Sequence, residues 1–371
     1  MRIVVKVGSS SVTKSDGSFD ESTLGPISES IARLMKAGHS VVLVSSGAIS
    51  CGLGRLGVSE RPTGRVQLRA AASLGQVVLS SAYEALFRVR QIQTAQLLMI
   101  PSDFADRRQY LHARETLSEL VGMGVLPIIN ENDALSNDQL RYGDNDLLAA
   151  LVCNLFAADL LLLLTDQEGI FSADPRLNAE ATLIQEISDL GSVDADVGES
   201  GSMWGSGGMA SKLKAARMAA HSGVQTVIAG ARVRDVVDRV VQGGERLGTL
   251  IRPYGERLPA RKLWIAFAAS PVASVAVDHG ARMAVERQGR SLLVAGVLAL
   301  DGPFSSGEIV TVRDVGGEIF AKGIVRRDSS ELAIPVGEPP ISDGLEMVEA
   351  GRSVRRDGEL IHRDDLVVLT R

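Results

Sequence analysis

The first two thirds of the chain alternate short apolar runs with longer segments of helical periodicity. The runs that read as strands are Ile3–Val7, Ser40–Ser45, Thr94–Ile100, Val125–Ile129, Asp159–Leu164 and Thr226–Ala229. The segments that read as helices are Glu21–Ala37, Gly64–Arg90, Asp106–Met123, Asn145–Ala157, Met209–Ser222 and Arg234–Gly243. This alternation predicts an α/β fold in which helices sandwich a mainly parallel sheet. Ligands of such sheets bind beyond the carboxyl ends of the strands, so we expect a site in the loops there.

The pattern changes near Gly248–Arg261, a polar stretch that is interrupted by prolines and glycine. Beyond it the apolar runs become short and strand-like, beginning with Leu263–Ala268, and only Gly280–Gln288 looks helical. We therefore expect an α/β domain over residues 1–255 and a small β-rich domain over residues 256–371.

Composition and charge narrow the range of functions. The chain has 39 Lys and Arg against 45 Asp and Glu, a net charge of −6, so no general affinity for nucleic acid or anionic membranes follows. No apolar stretch is suited to a secretory signal or a membrane span. Cys51 and Cys153 lie too far apart for a metal motif and read as small buried hydrophobes. A cytoplasmic protein without its own metal ligands is expected.

Lys6 interrupts the apolar first strand, where an ammonium group is costly. Burying it costs roughly several kcal/mol unless a negatively charged group pairs with it. Gly8 and three serines follow at once and offer backbone N–H groups and hydroxyls. A cation beside such a loop, at the carboxyl end of a strand, predicts a phosphate site. The alternative is an edge-strand lysine that faces water.

Two polar clusters follow the fourth predicted strand. Asn130 and Asp133 belong to the first cluster, I-I-N-E-N-D, and Asp144, Asn145 and Asp146 belong to the second, G-D-N-D. Carboxylates can hold an ammonium group and amides can bind a carboxylate, so the pair suggests a site for a charged, amine-bearing small molecule. Either cluster alone could be a solvated turn, and Asp146 could instead orient lysines or a metal.

Two further loops contain residues that are suited to bind an anion. The fifth strand ends in Thr165 and Asp166, at the start of a long loop. Ser206 and two glycines precede a predicted helix that carries Lys212 in its first turns. Glycine N–H groups and a helix N-terminus attract anions, and a lysine placed there is expected to face one. A flexible loop with a solvent-facing lysine is the alternative.

Gly52–Gly57 spells G-L-G-R-L-G, which formally matches a dinucleotide-binding motif. No strand enters it directly and no apolar helix follows it, so that interpretation is set aside. A flexible lid is expected instead. The sequence contains no G-x-x-x-x-G-K-[ST], which excludes the P-loop nucleotide hydrolases.

Taken together and in this order, six stretches resemble the amino acid kinase family. They are V-V-K-V-G-S-S, V-S-S-G-A-I, I-N-E-N-D-A, G-D-N-D, L-L-T-D-Q-E-G-I-F-S-A-D-P-R and G-S-G-G-M-A-S-K. The pairing of I-N-E-N-D-A with G-D-N-D is typical of the branch of that family that phosphorylates glutamate. Residues Ala273–Glu349 and the late H-R-D-D-L look like a PUA domain.

The resemblance implies ATP-dependent phosphorylation of the γ-carboxylate of L-glutamate, the first step of proline biosynthesis, with Mg²⁺ carried on the nucleotide. It also implies a homo-oligomer, dimeric or tetrameric, and feedback inhibition by proline. Lys6 and Lys212 would neutralise charge on the transferred phosphoryl group, and Asp146 would hold both lysines. The residues implied in glutamate binding are Ser46, Asp133 and Asn145, with Asn130 and Asp144 nearby. The residues implied in nucleotide binding are Lys6, Thr165, Asp166, Ser206, Gly207, Gly208, Met209, Ala210, Ser211 and Lys212.

The chemistry read from the residues agrees with this. A γ-carboxylate is ionised near neutral pH and needs no general base, which suits a chain with five histidines and none in these loops. One alternative keeps the fold but takes acetylglutamate or aspartate. Another is RNA binding through the PUA-like domain. Residues 262–371 hold 13 Lys and Arg against 16 Asp and Glu, which argues against RNA.

Overall fold

The computed structural model describes residues 1–58, 60–104, 106–135, 145–173, 175, 178, 180–188, 208–242, 246–253, 258–269, 271–332, 334 and 358–369. Contacts divide the chain into two compact units, Met1–Ala260 and Arg261–Arg371. The expected domain boundary between residues 255 and 256 lies outside the described residues. Within the part that is described, no helix combines the length and the apolar character needed to cross a membrane.

A large sheet forms the centre of the first unit. Its strands are β1 (Arg2–Val7), β2 (Ser40–Ser45), β3 (Thr94–Met99), β4 (Leu126–Glu131), β5 (Leu160–Thr165), β6 (Glu186–Ile187), β7 (Gln225–Gly230) and β8 (Thr249–Ile251). Among the described residues these eight strands pair in the order β3-β4-β2-β1-β5-β7-β8-β6. All neighbours are parallel except β7 and β8. The predicted mainly parallel sheet is confirmed.

The helices of the first unit are α1 (Ser9–Val12), α2 (Glu21–Lys36), α3 (Ala48–Arg55), α4 (Arg65–Arg88), α5 (Arg107–Gly122), α6 (Asn145–Phe156), α7 (Met209–His221) and α8 (Val236–Gln242). Side-chain caps fix two of the starts, because Asp20 accepts from the Thr23 N–H and Asp106 accepts from the Gln109 N–H. In α6 every residue except Asn154 is buried, as expected for a helix that is apolar all round.

The two central strands explain where a site can form. β1 and β5 are adjacent and buried on both faces, which their continuous apolar sequences require. The chain goes from β1 to β2 on one side of this pair, whereas it goes from β5 to β6, at the far edge of the other side. At such a switch point the loops after the two strands diverge and leave a crevice at their carboxyl ends.

The G-L-G-R-L-G segment is not a lid, and that prediction is wrong. Most of it belongs to α3, which crosses α4 at very short range. A Cβ atom added at Gly52 would lie 1.8 Å from the carbonyl oxygen of Ala71, and one at Gly75 would lie 1.8 Å from that of Ala48. Gly52 and Gly75 therefore allow the backbones of α3 and α4 to touch.

The second unit is rich in short strands. Its elements are α9 (Ala260–Leu263), β9 (Ala273–Val277), α10 (His279–Gln288), β10 (Leu292–Leu293), β11 (Val297–Asp301), β12 (Ile309–Arg313), β13 (Ile319–Ile324), β14 (Glu359–Ile361) and β15 (Leu366–Val368). Among the described residues five strands pair in the order β11-β9-β12-β13-β15, and β10 pairs with β14. The predicted strand Leu263–Ala268 is wrong, since α9 and a helical turn over Trp264–Ala268 occupy it.

Candidate active site

Three charged residues from distant parts of the chain meet in the first unit. Lys6 lies on β1, Asp146 in the first turn of α6 and Lys212 in the first turn of α7. The Lys6 ammonium pairs with one carboxylate oxygen of Asp146, and the Lys212 ammonium lies 3.2 Å from the other. All three side chains are buried, and that of Asp146 completely. The structure thus brings together the three residues that were predicted to be catalytic.

Buried charge is concentrated at this centre. Two ammonium groups face one carboxylate in a region shielded from water. Desolvating each ion costs roughly several kcal/mol, which pairing with Asp146 offsets in part. The positive N-terminal end of α7 adds to the field. Lysines held in place beside a helix start are suited to bind an anion.

Beside this centre lies a network of amides and hydroxyls. The NH₂ group of Asn145 donates to Asn130 Oδ1 at 2.7 Å, to the Ser45 carbonyl at 2.7 Å and to Ser46 Oγ at 3.0 Å. Asn130 and Asn145 are buried, whereas Ser46 is half-buried. Because Asn145 directly precedes Asp146, this network and the charged centre adjoin. Three of the residues predicted to bind substrate are therefore held in one place.

Helix α4 supports the network with two residues that sequence reasoning missed. Gln76 Oε1 accepts from the Asn130 NH₂ group at 2.7 Å, and the Tyr83 hydroxyl lies 2.9 Å from Ser45 Oγ. Burial raises the pKa of Tyr83, so the phenol stays neutral. The available signal was their spacing, because residues seven apart share one face of a helix.

Asp133 follows β4 and is half-buried. Desolvation raises the pKa of its carboxyl group to about 6, although the positive charge of Arg61 opposes the shift. Among the described residues it makes no hydrogen bond to the amide network. Its partner in the prediction, Asp144, lies outside the described residues.

The residues predicted to bind nucleotide lie at two places. Thr165 ends β5 and is buried, and its hydroxyl donates to the exposed Asp166 carboxylate at 2.9 Å. No hydrogen bond or ion pair that the structure describes joins either residue to Asp146. Gly208 precedes α7 as its N-cap and has an extended backbone, and Met209, Ala210, Ser211 and Lys212 form the first turn. Ser206 and Gly207 lie outside the described residues.

A cavity of about 110 Å³ lies between α4 and strands β3 and β4. Gln76, Tyr83 and Asn130 are among its lining residues, so it borders the amide network. Over the described part of the chain, no three His, Cys, Asp or Glu side chains are grouped so as to hold a metal ion.

Comparison with known proteins places the chain in a family. The model of the amino acid kinase family matches residues 1–230, and that of the PUA domain matches residues 273–338. Glutamate 5-kinase of Pseudomonas aeruginosa UCBPP-PA14 is 45% identical over 369 residues, which are 99% of this chain and 98% of that protein. Glutamate 5-kinase of Herminiimonas arsenicoxydans is 44% identical over 99% of this chain and 98% of its own. Among solved structures, isopentenyl phosphate kinase aligns with 68% of this chain and 100% of its own, at 19% identity and a TM-score of 0.48.

These matches confirm the resemblance that the six sequence stretches indicated, and they extend it over nearly the whole chain. The protein is a member of the amino acid kinase family that carries a PUA domain.

Proposed function

We propose that this protein transfers the γ-phosphoryl group of ATP to the γ-carboxylate of L-glutamate and forms L-glutamyl 5-phosphate, the first step of proline biosynthesis. Membership of a kinase family implies ATP as the donor. The observation that carries the proposal is the buried Lys6–Asp146–Lys212 centre, which adjoins a network of amides suited to an amino acid. Full-length relatives at 45% identity are glutamate 5-kinases.

In the proposed reaction the phosphoryl group passes directly from ATP to glutamate, and no protein side chain forms a covalent bond. An oxygen of the γ-carboxylate attacks the γ-phosphorus, the bond to the bridging oxygen of the β-phosphate breaks, and ADP leaves with the electron pair. The carboxylate is ionised near neutral pH, so no proton has to be removed. Catalysis then depends on alignment and on positive charge around the phosphoryl oxygens.

Lys6 and Lys212 are the proposed source of that charge. Each ammonium faces the shared carboxylate of Asp146, which fixes its position before substrate arrives. Fixed charges in a buried site stabilise a transition state more strongly than the same charges in water. Asp146 is therefore a positioning residue in this proposal.

The substrate groups have complementary partners among the predicted site residues. Ser46, Asn130 and Asn145 offer a hydroxyl and amides to the glutamate, and the carboxylates of Asp133 and Asp144 are suited to its ammonium group. Thr165 and Asp166, with residues 208–212 at the start of α7 and the preceding Ser206 and Gly207 of the sequence, are proposed to contact the nucleotide. The N–H groups at a helix start are suited to phosphates.

Mg²⁺ is proposed to arrive on the nucleotide. The Asp146 carboxylate already faces two ammonium groups and is a poor metal ligand, whereas phosphate oxygens and water are ligands that Mg²⁺ prefers. When bound, the metal withdraws negative charge from the phosphate oxygens.

The test is chemical trapping of the product. Purified protein with ATP, Mg²⁺, glutamate and hydroxylamine should form a hydroxamate, because hydroxylamine attacks an acyl phosphate. A hydroxamate yield no higher than in a glutamate-free blank contradicts the proposal. The same assay with aspartate and acetylglutamate tests the related substrates, and we expect glutamate to have the highest kcat/KM.

Feedback inhibition by proline and assembly into a dimer or tetramer belong to the same proposal. Proline added to the assay should lower the rate, and sedimentation of the purified chain should give a mass of two or four copies. An unchanged rate or a monomer would remove that part of the proposal and leave the reaction itself in place.

A further inference from the structure

We propose that Gln76 is a positioning residue for substrate binding, because it sets the orientation of the amide groups of Asn130 and Asn145. The inference rests on the proposed function, in which these two amides bind glutamate. Gln76 lies on α4, outside the polar clusters in which the sequence predicted the site.

Asn130 has a hydrogen-bond partner at each end of its side-chain amide. The two ends of an asparagine amide have nearly the same shape, so only hydrogen-bond partners decide which end points where. The backbone N–H of Glu131 donates to Asn130 Oδ1 at 2.9 Å, and Gln76 Oε1 accepts from Asn130 Nδ2 at 2.7 Å. An N–H at one end and a carbonyl oxygen at the other give the buried amide a single satisfied orientation.

The orientation of the Asn145 amide depends on that of Asn130. Since Asn130 Oδ1 can only accept, Asn145 must turn its NH₂ group towards it, and the bond is 2.7 Å long. The same NH₂ group then lies 3.0 Å from Ser46 Oγ. The buried Oδ1 of Asn145 is left without a hydrogen-bond partner among the described residues. A buried acceptor in that state favours a ligand that donates, and an ammonium group is one.

The placement of Gln76 itself argues for a role through this hydrogen bond. The side chain borders the cavity between α4 and strands β3 and β4, so it is not there to fill space. Its backbone is fixed, because the preceding residue, Gly75, is where α4 touches α3. A fixed backbone with a single oriented acceptor can hold a neighbouring amide in place.

The experiment compares three variants in the full chain. Gln76→Met keeps the length of the side chain and the helix propensity but removes the acceptor, and it should raise the KM for glutamate about tenfold, the effect of one lost hydrogen bond. The KM for ATP should change less than about twofold, since the nucleotide does not depend on these amides. Gln76→Glu keeps an acceptor oxygen and should restore a KM for glutamate close to that of the parent.

Gln67→Met, an exposed glutamine on the same helix, is the matched control and should leave both constants unchanged. Equal KM values for glutamate in Gln76→Met and Gln67→Met would overturn the proposal. So would a Gln76→Glu variant as impaired as Gln76→Met, or equal rises in the two KM values.

A double-mutant cycle tests the same idea by a second route, including the case in which Gln76→Met is poorly folded. If Gln76 acts through Asn130, then Gln76→Ala should add nothing to the rise in the KM for glutamate that Asn130→Ala causes. Additive effects would contradict the proposed route. Failure of the parent protein to phosphorylate glutamate would instead remove the proposed function, so the two failures are distinguishable.

Discussion

At the scale of single residues, Asp146 supplies the negative charge that two buried lysines share. It is fully buried and is the carboxylate on which both catalytic lysine candidates converge. Removing one partner of a buried ion pair leaves an uncompensated charge, which costs more than the pair itself contributes. The carboxylate should therefore matter to stability and to catalysis at once.

The first prediction follows from this. Asp146→Asn should lower the free energy of unfolding by about 3 kcal/mol, because two buried ammonium groups lose their counter-charge. It should also lower kcat about a hundredfold, because the two lysines lose the carboxylate that positions them and misplaced groups align poorly with the transition state. Urea denaturation and steady-state kinetics measure the two effects.

Asp235→Asn is the control for that variant. Asp235 pairs with Arg33 at 2.9 Å, but both side chains are about half exposed, so the loss should be below about 1 kcal/mol. Asp235 also has a φ of 51°, which asparagine tolerates well. Equal losses of stability in the two variants would show that burial of the Asp146 ion pairs does not increase their contribution to the free energy of unfolding.

The second prediction concerns the pH dependence of glutamate binding. The pKa of Asp133 is about 6, raised mainly by desolvation, so its carboxylate gains a proton below that pH. If the carboxylate holds the substrate ammonium group, kcat/KM for glutamate should fall about tenfold per pH unit below about 6. The Asp133→Asn profile, with MgATP saturating, should lack this limb, and that comparison removes the titration of the nucleotide.

Stability should change in the opposite sense. The folded-state pKa of Asp133 lies above the ordinary value of 3.8, so its contribution to stability is fully present below that value. It is lost as the pH rises through about 6. A kcat/KM profile identical in the parent and in Asp133→Asn would exclude this residue from glutamate binding.

At the scale of elements, the contact of α3 with α4 connects packing to the site. The third prediction is that Gly75→Ala destabilises the protein by about 2 kcal/mol or more, because the new Cβ atom would meet the Ala48 backbone rather than a side chain that can move. The KM for glutamate should also rise, since α4 carries Gln76 and Tyr83.

Gly122→Ala is the matched control, because a Cβ atom there would meet nothing within 4 Å. It ends α5, where alanine is a better helix former, so its stability should be equal or slightly higher. Thermal unfolding of the parent, Gly75→Ala and Gly122→Ala measures these effects. A loss of stability in Gly75→Ala alone indicates close helix packing, whereas equal losses in both variants indicate that the protein tolerates no added methyl group.

The same contact shows why part of the fold could not be predicted from the sequence. Strands β1, β2 and β5 were predicted to within one residue, because a long apolar run has few alternatives in a parallel sheet. Helix α3 was missed because Gly52 and Gly54 lower its helix propensity. Gly52 lies against the backbone of α4, whereas Gly54 lies against Asp16 and Gly17. The predicted strand over residues 263–268 was wrong for a different reason, because a short apolar run fits a buried helix as well as a strand.

At the scale of the whole molecule, every described candidate residue belongs to the first unit. Lys6 and Lys212 could be proposed from the sequence because a lysine in an apolar strand or at a helix start is unusual. The role of Asp146 was implied by the family resemblance, since the residues alone left it open. Gln76 could not, because a glutamine in a long helix looks like ordinary surface until its partner is known. The hydrophobic core of the first unit likewise draws on residues up to Leu250, and the second unit has its own core from Val275 onwards.

The fourth prediction is that a chain ending at Ala260 folds and retains the reaction. A unit of this size buries enough apolar surface to be stable alone, and it holds all the described candidate residues. Its KM values for glutamate and ATP should stay within about threefold of the parent, because no side chain proposed to touch substrate is removed. A folded fragment, judged by a cooperative thermal transition, that lacks hydroxamate formation would show that the PUA domain contributes to catalysis. A fragment without a cooperative transition would show that the first core is incomplete without the second unit.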